Sequence, residues 1–130
     1  MSGGVSYDQF CADVASLDDA IVAAFVISHG VKGSYLKLSV PVLKKEDAGR
    51  LAEQTTTIME ITRSNERLFG GVDFVLVRHE SIDGMFFPAD DDATIILVGL
   101  VRPYDQDKIA SKIERAAGRL VQGKQSRDSI

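Results

Sequence analysis

The residues that could carry chemistry are few and scattered. His29 and His79 are the two histidines, both at strand ends, and no His-x-x-x-His pair or cysteine partner gives either one a metal-ligand spacing. Turn polarity accounts for both. Cys11 is the single cysteine, which excludes an intrachain disulfide, a cysteine metal cluster and a Cys-x-x-Cys redox pair. It stands on an apolar stripe with no His or Lys nearby to lower its pKa, so it reads as a small buried hydrophobe and not as a nucleophile. Asp90-Asp91-Asp92 offers carboxylate oxygens to a hard cation, but the EF-hand spacing is absent and a polar turn needs no such role. Gly118, Gly123 and Lys124 have the glycine and lysine spacing of a phosphate loop. Gln125 stands where that motif needs Ser or Thr, and the segment closes a helix, whereas a phosphate loop follows a strand and opens one. No serine has a Gly-x-Ser-x-Gly setting. The sequence therefore predicts no catalytic, metal-binding or cofactor-binding residue, and no intrinsic hydrolase, transferase or nucleotide-binding activity.

Composition bounds the partners. The chain has 130 residues, 45% apolar and 26% charged, as in an ordinary globular protein of one domain. A chain of that length buries roughly two-thirds of its unfolded surface, enough for a core without staples. Net charge is −4 and no Lys/Arg run exceeds two residues, which argues against nucleic-acid binding, because that needs a basic field. No apolar run reaches the length of a membrane span; Ala20–Ser28 and Ala93–Val101 are strand-sized. There is no basic-then-apolar signal-peptide start, and Ser2 removes the usual N-myristoylation start. With the lone cysteine, these features predict a cytoplasmic location.

The organising element is the stretch Glu46–Gly71. Ala48, Leu51, Ala52, Thr55, Ile58, Met59 and Thr62 recur at the spacing of one helical face. The spacing predicts a single helix of roughly 23 residues, about 35 Å long, lying across a sheet and ended by Gly70-Gly71. Arg63 and Arg67 fall near its end, where the helix dipole favours positive charge and where a solvated face accounts for them. Before it, Met1–Val5 reads as a flexible lead. Ser6 opens a first helix, with Gln9 in the capping-box position and Tyr7, Phe10, Cys11, Val14 and Leu17 as its apolar stripe. Ala20–Ser28 is apolar on both faces, the mark of a central strand. His29–Gly33 reads as a turn, and Ser34–Val40 as a half-exposed strand closed by Pro41.

After the long helix, Val72–His79 reads as a strand with Val72, Phe74 and Leu76 on one side and Val75 and Val77 on the other. Asp83-Gly84 gives a hairpin signal, Met85-Phe86-Phe87 returns, and Pro88 closes. Ala93–Val101 is a second doubly apolar strand, predicted to lie beside Ala20–Ser28. Asp105 caps a last helix, with Tyr104 and Ile109 at staple positions and Ile109, Ile113, Ala116, Ala117 and Leu120 buried. Residues 122–130 read as a flexible tail.

This order, helix, two strands, long helix, three strands, helix, resembles the roadblock family, related to dynein light chains. The resemblance covers residues 6–121. It rests on the strand Ile21–Ile27 with its Gly-containing turn, the long helix ending in Gly70-Gly71, the hairpin Val72–Phe87 with Asp83-Gly84, and the strand Ile95–Leu100 before the closing helix. The chain departs from the family pattern at Ser34–Lys44, which is longer and more apolar. The resemblance implies an α+β, profilin-like fold: a single mixed, mainly antiparallel five-stranded sheet, with the long helix on one face and the terminal helices on the other.

It also implies a non-enzymatic scaffold that dimerises through the long helix and the third strand, as a platform for a small Ras-like GTPase or a larger cytoplasmic assembly. Carried onto this chain, the interface would comprise Met59, Glu60, Arg63, Arg67, Asp73, Val75 and Val77, in a homodimer formed at micromolar concentration. The other function class is a small-ligand sensor or enzyme on the same sheet, which would need a partly polar cavity between sheet and helix. The apolar central strands favour the scaffold.

Overall fold

Ile21–Ile27 carries an apolar side chain at every position, and it forms β1 with every residue buried. Such a strand must be covered on both faces, and that requirement sets the architecture. The computed structural model describes residues 6–37, 44–89 and 93–128. The elements run α1 (Tyr7–Ala15), β1 (Ile21–Ile27), β2 (Val31–Leu36), α2 (Lys45–Arg63), α3 (Glu66–Phe69), β3 (Val75–Arg78), β4 (Asp83–Pro88), β5 (Ile95–Leu100) and α4 (Gln106–Asp128). The strands form one five-stranded sheet in the order β2-β1-β5-β4-β3. The two doubly apolar strands, β1 and β5, lie side by side at its centre, as expected.

Every neighbouring pair is antiparallel, so the sheet is not mixed. A crossover helix usually joins parallel neighbours. Here α2 joins β2 and β3, which run the same way but lie at opposite edges, so no parallel pair forms. Along β1 the side chains alternate between two clusters. Ala24 and Val26 join Val98, Met85 and Phe87 under α1 and α4. Ala23, Phe25 and Ile27 join Leu97 and Phe86 under α2, with Ala52 and Met59. No helix among the described residues is long and apolar enough to cross a membrane.

Several boundaries differ from those the sequence predicts. In α1 the Ser6 hydroxyl accepts from Gln9 N at 3.3 Å, but the reciprocal half of the box is missing because Gln9 Nε2 donates to Asp13 Oδ1 at 2.9 Å. The single long helix is broken. α2 ends at Arg63, and Ser64 donates its hydroxyl to Ile61 O at 2.6 Å. Serine and asparagine compete with helical backbone bonds, so Ser64-Asn65 interrupts the run before α3 resumes it. Gly70, with φ of 87°, ends α3. The turn after β1 is shorter than predicted. His29 (φ 56°) and Gly30 (φ 117°) suffice, and Gly33 is already within β2. The predicted continuation of that strand through Leu38, Val40 and Pro41 lies outside the described residues.

β3 begins only at Val75. Val72 packs with Val75 and Val77 toward α2, not with Phe74 and Leu76, because the backbone before Val75 is not strand and does not keep the period of two. The hairpin turn falls one step earlier than Asp83-Gly84. His79 N donates to Ile82 O at 3.1 Å, and Asp83 pairs with Arg78 inside the ladder. Asp105 Oδ1 accepts from Lys108 N at 3.1 Å, the predicted cap. α4 then runs to Asp128, through most of the stretch that reads as a tail. Gln, Lys and Arg are good helix formers, and no proline stops them. Met1–Val5 and Asp90-Asp91-Asp92 lie outside the described residues.

Candidate functional site

A sheet edge offers unpaired N–H and C=O groups, and a protein either covers them or uses them. The two edges of this sheet differ. At β2, α1 lies so close that a Cβ on Gly33 would come within 2.5 Å of Tyr7 Cβ and 2.6 Å of its carbonyl carbon. Ser34 N donates to Asp8 Oδ1 at 2.9 Å. The first turn of α1 thus covers that edge at Gly33 and Ser34, while Val31, Tyr35 and Leu36 of β2 stay exposed. At the other edge, β3 has β4 as its only strand neighbour among the described residues.

Apolar side chains are exposed along the chain leading into β3. Ile61 is 63%, Leu68 67% and Phe69 82% exposed. Ile61 falls off the buried stripe of α2, and Leu68 and Phe69 belong to α3, which buries no residue. Their position off the predicted stripe is the sequence signal for this surface. The segment is tied down from within. Arg63 Nε meets Glu66 Oε1 at 3.4 Å, while Glu66 Oε2 accepts from Val72 N at 3.3 Å. Phe74 sets its ring 5.7 Å from that of Phe87, anchoring the start of the strand.

The residues named from sequence fall into three groups. Glu60, Arg67 and Asp73 are exposed. Val75 and Val77 are half-buried on the strand itself and lean against the α2 cluster. Met59 and Arg63 are engaged within the chain: Met59 is 2% exposed in the core under α2, and Arg63 pairs with Glu66. Met59 therefore supports the α2 surface from beneath.

A second constellation, which the sequence presents only as a turn, surrounds Asp83. Its side chain is fully buried. Arg78 Nη2 donates to Oδ2 at 3.0 Å, Tyr104 donates its hydroxyl to the same oxygen at 2.5 Å, and Arg102 pairs with Oδ1. Burial works against ionisation. The hydrogen bonds from Tyr104 and Arg78 and the charges of Arg102 and Arg78 outweigh it and hold the carboxyl below its usual range. Arg102 also donates to His79 O at 3.1 Å and Glu80 O at 2.7 Å. The cluster thus pins the β3–β4 turn to the segment entering α4, and it is structural. The available signal is an Asp opening a strand, with Arg102 and Tyr104 following the central strand β5. Among the described residues no group of His, Cys, Asp and Glu is gathered that could hold a metal ion. Cys11 is 1% exposed, and burial pushes its thiol up to about 12.

No protein-family model matches the sequence, and no curated protein matches it. Solved structures do. The Roadblock/LC7 domain from Streptomyces avermitilis has a TM-score of 0.75 at 18% identity, covering 91% of this chain and 97% of that one. The chain has the roadblock fold. An MglB with a tetrameric arrangement gives a TM-score of 0.76 at 16% identity, over 97% of this chain and 95% of its own. The gliding protein MglB from Thermus thermophilus gives 0.75 at 14%, over 97% and 96%. At 18% identity or less these are likenesses of backbone. Each side chain of this roadblock fold must be argued from its own geometry.

Proposed function

We propose that this chain is a non-enzymatic binding module of the cytoplasm. In this reading it forms a homodimer through β3 and α2 and serves as a platform for, or regulator of, a small Ras-like GTPase or a larger assembly. One observation carries the dimer: β3 is an open edge next in sequence to the more exposed Ile61, Leu68 and Phe69, while α1 covers the opposite edge at Gly33 and Ser34. Two β3 strands pairing about a two-fold axis make an isologous, continuous sheet. Val75 would lie near that axis, with Asp73 and Val77 on either side. Glu60 and Arg67, exposed and of opposite charge, would meet their two-fold mates from the helical layer, above the buried Met59 and the Arg63–Glu66 pair. The GTPase half of the proposal is supported by the roadblock fold, and the tetrameric MglB by name supports self-association within that fold.

The test separates the two halves. N–H groups along an antiparallel strand alternate between the neighbour and the free edge. Proline is placed at Val75 and Leu76 in turn. One variant loses a bond to β4; the other loses only an outward N–H. Sedimentation of the second, folded by circular dichroism, should show monomer where the wild type is dimer at micromolar concentration. Two folded variants that both remain dimeric would move the seam elsewhere. Capture from native lysate should yield a Ras-like GTPase; its absence with the dimer intact would leave only the scaffold.

A further inference from the structure

Beneath α2 the sheet carries a row of small residues that the core fills only in part. Ala23 pairs with Gly99, Gly99 with Gly84, and Gly84 with Val77, across β1, β5, β4 and β3. Their face looks toward α2, where Phe25 and Phe86 stand on the same side of the sheet. Ile82 packs over Gly99, 3.0 Å from where a Cβ would stand, and beside it a cavity of about 300 Å³ remains between this row and the helix, walled also by Phe25, Leu51, Ile58 and Leu97. That is the lower end of the size range of small-molecule sites. At roughly 30 Å³ for each water-sized unit, it holds about ten non-hydrogen atoms.

Among the described wall residues, one buried polar side chain has no partner. α2 contains four threonines. Thr56, Thr57 and Thr62 return their hydroxyls to the carbonyl one turn back, at 2.9, 3.0 and 2.8 Å. Thr55 lines the cavity, is 1% exposed, and leaves its Oγ1 without a hydrogen bond. A buried hydroxyl in that state is unfavourable, and its neighbours show the bond that was open to it. Gln54 and His79 are the exposed polar residues at the rim. Asp83 belongs to the wall, but its carboxylate is already bonded to Arg78, Arg102 and Tyr104. No Lys or Arg is among the described lining residues, so a buried anion would have no counter-charge.

We propose that this cavity is a binding site for a small neutral molecule, mainly apolar and of about ten non-hydrogen atoms, whose single polar atom hydrogen-bonds to Thr55. The site does not depend on the dimer reading, since the described wall residues form it within one chain.

The test is a methyl-detected NMR titration of the full chain with p-cresol, toluene and 4-methylbenzoate. These share a ring and differ in their polar group. p-Cresol should shift the methyls of Leu51, Ile58 and Leu97 saturably, toluene should do so more weakly, and the anion should bind at least about tenfold more weakly than p-cresol. Thr55→Val should weaken p-cresol about fivefold to tenfold, the worth of one hydrogen bond, and leave toluene unchanged. Gly84→Ala, whose Cβ would make ordinary contacts at 3.5 and 3.8 Å, should weaken both neutral probes. The absence of saturable shifts with either neutral probe would overturn the proposal. So would tighter binding of the anion, or a Thr55→Val protein that binds p-cresol as the wild type does.

Discussion

Replacing Gly33 with alanine tests how closely α1 packs on the β2 edge. The added Cβ would sit 2.5 Å from Tyr7 Cβ, 2.6 Å from its carbonyl carbon and 2.8 Å from its carbonyl oxygen. Ordinary carbon contacts begin near 3.5 Å, so α1 or β2 must move by about 1 Å, and two of the three atoms are backbone that cannot rotate away. Overpacking of this kind costs about 1–3 kcal/mol. The movement also strains the 2.9 Å bond from Ser34 N to Asp8, worth about 1 kcal/mol. Against this, alanine reduces the freedom of the unfolded chain by about 0.4–1 kcal/mol. The net expectation is a loss of about 1–3.5 kcal/mol, read from urea denaturation as a lower midpoint at constant slope. Gly49→Ala and Gly118→Ala are the controls. Both positions are helical and exposed, with nothing within 4 Å of the new Cβ, so each should gain about 0.5–1 kcal/mol. The same substitution is thus expected to change sign between sites. A Gly33→Ala protein within about 0.5 kcal/mol of wild type would refute the close approach of α1. The loosened variant should also self-associate more at high concentration, since its second edge is uncovered.

Asp83→Asn should lower stability at neutral pH. The folded-state pKa of Asp83 lies below its unfolded value of about 3.9. Its contribution is therefore complete above about pH 4 and disappears as pH falls through the folded value. The gap between variant and wild type in urea midpoint should close at acid pH; a constant gap would contradict the charge network. Leu68→Ser with Phe69→Ser should leave unfolding of the monomer within about 0.5 kcal/mol, because both side chains are mostly exposed, while weakening self-association in sedimentation. A large loss of stability would mean these side chains are packed. Cys11, with its thiol pushed up to about 12, should react with a disulfide reagent at pH 8 far more slowly in the native protein than in urea; equal rates would place it at the surface.

Much of the fold is legible in the sequence because its signals are periodic. The two doubly apolar strands announce the sheet centre, and the stripe from Ala48 to Thr62 announces the face of α2. What the sequence hides depends on pairing across the chain. Ser64-Asn65 breaks the long helix through side-chain bonds that a hydrophobic pattern does not register. Asp83 reads as a turn residue because Asp-Gly favours turns; its burial depends on Arg102 and Tyr104, which reach it only after β5 has been laid beside β4. Gly99, Gly84 and Ala23 line up only once register is known, so the cavity beneath α2 is invisible in a sequence whose strands look uniformly apolar. Of the positions proposed for the interface, Glu60, Arg67 and Asp73 are exposed, whereas the burial of Met59 and the pairing of Arg63 with Glu66 show only in the folded chain.

Everything proposed for the assembly turns on β3 being the edge this protein uses. Amide hydrogen exchange, followed residue by residue from sub-micromolar to high micromolar concentration, reads that edge itself. The outward N–H groups of Val75–Arg78 should gain protection as concentration rises. The Ser34 amide, already bonded to Asp8, should exchange at the same rate throughout. Exchange in β3 that is independent of concentration, or protection that grows in β2 instead, would contradict the assignment.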